Sequence, residues 1–204
     1  MSIKYTALFC RRDSDYKTRQ HWDVYDADRN ALTYEGDGPV VCHPPCRFWG
    51  QLSHIAGRGG KMTQDQIDDE KFLAVWSVNK VREQGGILEH PSASRLFKYL
   101  PEAGQIDIYG GFVVDVDQYD FGHVAHKKTK LYIVGVLPEN LPQLPPKDDT
   151  VHLCEKGKRR SIAGNVEGTV RCTQKQREYT PDGLIDWFEK VLDRIEKEYI
   201  NYEY

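Results

Sequence analysis

Short apolar runs that stop abruptly at polar or proline-bearing loops constrain this chain more than any other feature. The run Tyr5 to Cys10 breaks into Arg11-Arg12-Asp13-Ser14, and Pro39 to Cys42 runs into Pro44-Pro45. Ile87-Leu88 leads into Glu89-His90-Pro91, and Leu131 to Val136 is the clearest buried run. Such runs read as strands covered on both faces, which is the habit of parallel sheets. Trp22 to Tyr25 offers a further short strand. Between them, Thr63 to Glu83 carries Ile67, Phe72, Leu73, Val75, Trp76, Val78 and Val81 at mostly helical spacing and ends at Gly85-Gly86, a helix stop. A last amphipathic helix opens at Thr180-Pro181, with Leu184, Ile185, Phe188, Val191, Leu192 and Ile195 on one face. The pattern predicts a Rossmann-like α/β domain, a mostly parallel sheet with flanking helices.

The chain of 204 residues supports one sizeable core. Its expected parts are a core over 1–137, a small polar insert or hairpin over 138–178, and a C-terminal helix over 179–204 packing on the core. In such sheets, ligands sit beyond the carboxyl ends of the strands.

A net charge of −3 gives no global electrostatic pull toward nucleic acid, so any such contact needs a local basic patch. Cysteines 10, 42, 46, 154 and 172 form an odd set without framework spacing and read as reduced thiols in a cytoplasmic protein. No stretch approaches the roughly 20 apolar residues that span a bilayer, so no membrane role is expected.

Three segments carry candidate chemistry. Cys46 follows two prolines at the end of a strand, where their stiffness fixes a thiol at the sheet rim and Arg47 favours its thiolate; as a plain reading, Cys46 is a small residue in a strand-to-loop turn. Cys42, His43, Cys46 and His54 are chemically fit for zinc, but the first two are adjacent and no second pair follows, so no metal is assigned. Glu89 ends a buried strand, a setting that raises a carboxyl pKa and suits an acid; as a plain reading it is an exposed loop carboxylate. The run His126 to Lys130 supplies the basic patch, or is a solvated charge run.

In order, these pieces resemble the DNA cytosine-5 methyltransferases. Leu8-Phe9-Cys10 is similar to the start of that family's cofactor motif, and Asp26-Ala27-Asp28-Arg29-Asn30-Ala31 to its acidic second motif. Pro44-Pro45-Cys46 matches its nucleophile loop, and Glu89-His90 resembles its Glu-Asn pair. His126 to Lys130, followed by Leu131 to Gly135, resembles its Gln-x-Arg-x-Arg motif and strand. The resemblance covers residues 5 to 136 or so and implies that Cys46 adds to carbon 6 of a pyrimidine while Glu89 holds or protonates ring nitrogen 3. It implies substrate contacts from Pro45, Arg47, His90, Lys128 and Lys130, with the target base flipped from its stack.

Where the family has a glycine-rich turn for S-adenosylmethionine, this chain has Arg11-Arg12-Asp13-Ser14, so the cofactor stays open. Arg11, Arg12 and Ser14, with Asp26, are the cofactor-side candidates; the two arginines, Ser14 and Lys17 suit a phosphate, or Arg11 and Arg12 are plain surface loop charges. Only about 45 residues lie where the family has its DNA-reading domain. The expected function is a pyrimidine-modifying, transferase-like enzyme acting on a nucleotide or DNA base in a DNA-modification pathway. Its rival is a non-catalytic nucleotide or nucleic-acid binding protein on the same fold.

Overall fold

The computed structural model describes residues 4–50, 62–162 and 166–202, with side chains as far as residue 195. The strands are β1 Tyr5–Leu8, β2 Trp22–Val24, β3 Val40–Cys42, β4 Gly86–Pro91, β5 Phe112–Asp117 and β6 Lys128–Val134. They form one sheet in the order β2-β1-β3-β4-β6-β5. The first four pair parallel, and β6 runs antiparallel to both β4 and β5. The protein is thus a mixed α/β fold around a mostly parallel sheet. The strand β5 has no counterpart among the sequence expectations, because two aspartates interrupt its apolar run.

Helix α1, Gln64–Gln84, starts at a Thr63–Gln66 capping box, which satisfies two of the amides a helix start leaves open. Helix α3 spans Asp182–Tyr202. Its first carbonyl acceptor is Pro181, bonded by the amides of Leu184 and Ile185, one residue later than the expected Thr180 cap. Proline suits that place because an amide there has no helical partner to lose.

The period-two alternation of the strands sorts the core into two layers. Ala7, Val41, Ile87, Leu131 and Ile133 face α3 and pack on its Leu184, Phe188, Val191 and Leu192. Leu8, Val40, Cys42, Leu88, Tyr132 and Val134 face the other way, toward Ala74, Val78 and Val81 of α1. Burying each large apolar side chain of this kind contributes about 1.5–3 kcal/mol relative to leaving it exposed.

Gly86 sets how β3 and β4 fit together. Its φ is +124°, and a Cβ there would lie 2.0 Å from the Val40 carbonyl oxygen, so only glycine allows the approach. The resulting register pairs Val40 with Gly86 and Cys42 with Leu88.

The segment after β6 is bound to the core. Trp187 of α3 donates its indole N–H to the Pro142 carbonyl at 3.2 Å, and the Asp148 amide donates to Asp120 at 2.9 Å. A tight reversal joins Leu153 to Arg159 in an antiparallel bridge, but the two short strands that follow, β7 Arg159–Ser161 and β8 Thr169–Arg171, pair parallel rather than as a hairpin. A short helix α2, Gln174–Glu178, again opened by a capping box from Thr173 to Gln176, returns the chain to the sheet.

Candidate functional site

The order of the strands reverses between β1 and β3: the chain adds β2 on one side of β1 and then β3 on the other. Loops leaving such a pair diverge and open a crevice at the carboxyl ends of the strands. Here a cleft of about 1000 Å³ occupies that place. The loops after β1, β3 and β4 form its floor and two sides, the loop leading into β6 contributes Lys127, and residues 173–180 form the facing wall.

Register and alternation assemble the floor. With Cys42 beside Leu88, the next residues along, His43 and Glu89, stand side by side on the α3 face of the sheet. His43 Nδ1 lies 3.2 Å from Glu89 Oε2, and its Nε2 lies 3.0 Å from the Tyr16 hydroxyl. Gln118 donates from Nε2 to Glu89 Oε1 at 2.9 Å and to Thr129 Oγ1 at 3.0 Å. Burial by itself would raise the Glu89 carboxyl, but the His43 hydrogen bond and the Lys127 charge more than reverse it and hold the group at about 2. Glu89 is therefore ionised, which corrects the expectation of a raised acid: the sequence shows the burial of this strand end but not the donors brought to it. An ionised carboxylate only accepts, so His43 donates to it from Nδ1, and its other ring nitrogen meets the Tyr16 hydroxyl.

Cys46 opens onto the cleft together with Pro45, Arg47 and His90. The protein mass around it and the nearby Glu89 carboxylate push its thiol above the ordinary value. Arg47, expected to favour the thiolate, is held instead in an ion pair with Glu70 of α1. His90, next along β4 and therefore on the α1 face, donates to or accepts from Ser94 Oγ at 2.7 Å, and burial lowers its pKa to about 4. Its Nε2 is enclosed without a hydrogen-bond partner.

The residues proposed for the cofactor side divide. Arg11 and Ser14 line the cleft. Arg12 turns outward to pair with Asp28 at 2.8 Å. Asp26 is buried away from the cleft, where Lys17 and the backbone amides of Asp28 and Arg29 satisfy its carboxylate and lower its pKa. These residues do not fit S-adenosylmethionine. Instead of a glycine turn that exposes backbone amides, the loop has Phe9 at a φ of 60°, packed edge-on to Trp76 at 5.7 Å, and Arg11 bridged to Asp13 and to Glu178 on the facing wall. Asp26, the acidic cofactor-side candidate, already has its three partners.

The basic run divides by the same alternation. Leu131 faces α3, so Thr129 and Lys127 do too, whereas Lys128 and Lys130 face the opposite side. Lys128 pairs with Asp117 at 3.0 Å, and Lys130 approaches Asp115 at 3.8 Å and the Phe97 ring. Neither lines the cleft, and Lys127 takes the place expected of them. Counting back in twos from Leu131 would have found it. Of the zinc-fit residues, Cys42 is fully buried on the α1 face and its thiol is raised to about 12, chiefly by burial. His43 is committed to Tyr16 and Glu89, and His54 lies outside the described residues. Among the described residues, no helix is long and apolar enough to cross a membrane.

No protein-family model and no curated protein sequence matches this chain.

Proposed function

We propose that this cleft is the site of a pyrimidine-directed, transferase-like enzyme on a Rossmann-like fold, acting on a nucleotide or a DNA base through Cys46 and Glu89. The reading rests on one observation: the Cys46 loop and the Glu89 strand end open into the same crevice, at the reversal of strand order where α/β folds bind their ligands. Glu89, ionised and held by two donors, is suited to accept a hydrogen bond from a ring N–H or an exocyclic amine. That favours holding a base over protonating it. The group transferred is left unassigned, because the loop after β1 does not fit the methyl donor of the family it resembles. The five cysteines are free thiols, which agrees with a reducing, cytoplasmic setting.

The chemistry has a readout that needs no donor. When Cys46 Sγ bonds to carbon 6 of deoxycytidylate or deoxyuridylate, the electron pair of the 5,6 double bond moves to carbon 5, which takes a deuteron from heavy water. Loss of the original carbon-5 proton to solvent and cleavage of the C–S bond then restore the aromatic base and the thiol. Proton NMR should show the carbon-5 signal decaying with wild-type protein and persisting with Cys46→Ser or Glu89→Gln. Binding without exchange would overturn the catalytic reading.

A second reading, a non-catalytic nucleotide or nucleic-acid binder, draws support from the raised Cys46 thiol, which Glu89 disfavours as a thiolate. It expects Cys46→Ser to bind as well as wild type and neither protein to exchange carbon 5.

A further inference from the structure

Five cations line the cleft beside five carboxylates, Asp13, Asp15, Glu70, Glu89 and Glu178, and two of the cations stand outside its ion pairs. Arg11, Arg47, Lys127, Lys175 and Arg177 all line it. Three are committed: Arg11 to Asp13 and Glu178, Arg47 to Glu70, and Lys175 to Asp13 at 3.3 Å. Lys127 and Arg177 enter no ion pair among the described residues. Lys127 reaches the Tyr179 carbonyl with Nζ at 3.2 Å, a neutral acceptor. Arg177, two residues before Tyr179, has its Nε enclosed without any hydrogen-bond partner. Arg177 is half-buried as a whole, and its enclosed Nε carries a desolvation cost.

Both cations line the one cleft. Lys127 immediately precedes β6 and its charge acts on Glu89. The Lys127–Tyr179 bond ties it to the wall that carries Arg177. That wall is fixed in turn: the Cys172 amide donates to the Ser161 carbonyl at 2.8 Å, and Tyr179 stacks on His123 with centroids 4.7 Å apart. A lysine and a planar guanidinium lining one cavity suit the charge of a phosphate group.

We propose that Lys127 and Arg177 form a phosphate subsite of the cleft, so that its ligand is a phosphorylated pyrimidine rather than a free base or nucleoside. This rests on the pyrimidine reading for the base but not for the phosphate. The phosphate can belong to a mononucleotide or to a DNA strand, and the test separates the two.

Deoxycytidine monophosphate, deoxycytidine, inorganic phosphate and a short single-stranded oligodeoxynucleotide are titrated calorimetrically into the full chain. The monophosphate should bind at least tenfold tighter than the nucleoside. Arg177→Gln should weaken the monophosphate by roughly tenfold to a hundredfold, the range for a hydrogen bond to a charged group, and leave the nucleoside unchanged, whereas Lys127→Gln, which also removes the charge beside Glu89, should weaken both ligands and the monophosphate more. Lys128→Gln, outside the cleft, should bind like wild type, and unaltered melting midpoints show that the variants fold. If the oligonucleotide binds tightest and suffers the same losses, the phosphate belongs to a strand. Equal affinity for nucleotide and nucleoside, or folded Lys127 and Arg177 variants that bind the monophosphate like wild type, would overturn the subsite. Should inorganic phosphate bind as tightly as the monophosphate and lose affinity in both variants, the subsite stands and the pyrimidine reading falls.

Discussion

On the floor of the cleft, Glu89 takes hydrogen bonds from His43 and Gln118 in a largely buried setting. At the rim, Arg47 meets Glu70 with its guanidinium side more than half exposed. Both arrangements join a carboxylate to donors, yet water treats them differently. A rim pair that separates is rehydrated at once, and its net worth is small. The floor has no such recourse: a donor or acceptor that loses its partner there carries the full desolvation cost. The contrast separates what fixes the site from what decorates its edge.

Three changes would break or sharpen that contrast. Glu89→Leu should have the largest effect, about 3–5 kcal/mol in urea unfolding, because it strands the His43 and Gln118 donors and leaves the Lys127 charge without its nearby carboxylate; a cost below 1 kcal/mol would show that the floor is no network. Acid should act next. His90 has its pKa lowered by burial from 6.5 to about 4, so the unfolded chain binds the proton more readily. Stability is full above pH 6.5 and falls as the pH drops to 4, by about 3 kcal/mol from this group. Glu89, lowered from 4.5 to about 2, adds a further loss from pH 4.5 downward. His90→Asn should flatten the first of these slopes, and an unchanged slope would assign it elsewhere. Smallest should be Arg47→Ala, at most about 1 kcal/mol. Its difference from wild type should vanish in roughly 1 M salt, where the Debye length is about 3 Å.

The sequence carries the scaffold far better than the network. Tyr5 to Cys10, Ile87-Leu88 and Leu131 to Val136 are legible as strands because apolar runs bounded by breakers have few other uses, and the Thr63 to Gly85 helix has both its cap and its stop in view. The crevice follows too, since parallel strands put the loops bearing Cys46 and Glu89 at one edge. The ionisation of Glu89 does not follow, for Gln118 comes from the end of β5, a strand whose aspartates hide its apolar alternation. Lys127 escapes because a motif match directs attention to Lys128 and Lys130, whereas the pleat sends them to the other face. The wall at 173–180 lies in a polar stretch whose only local signal is the capping box from Thr173 to Gln176.

Gly86 has a consequence for how the protein fails. The close approach it permits sets the level of β4 against β3, and a shift of one residue would carry Glu89 from the cleft to the opposite face along with every core side chain of that strand. The chain thus has no partly correct version of its site: a molecule whose sheet is out of register has lost its core as well. Heating should therefore abolish ligand binding and the near-ultraviolet signal of the buried aromatic rings in one concerted transition, with no population that is folded but blind to its ligand.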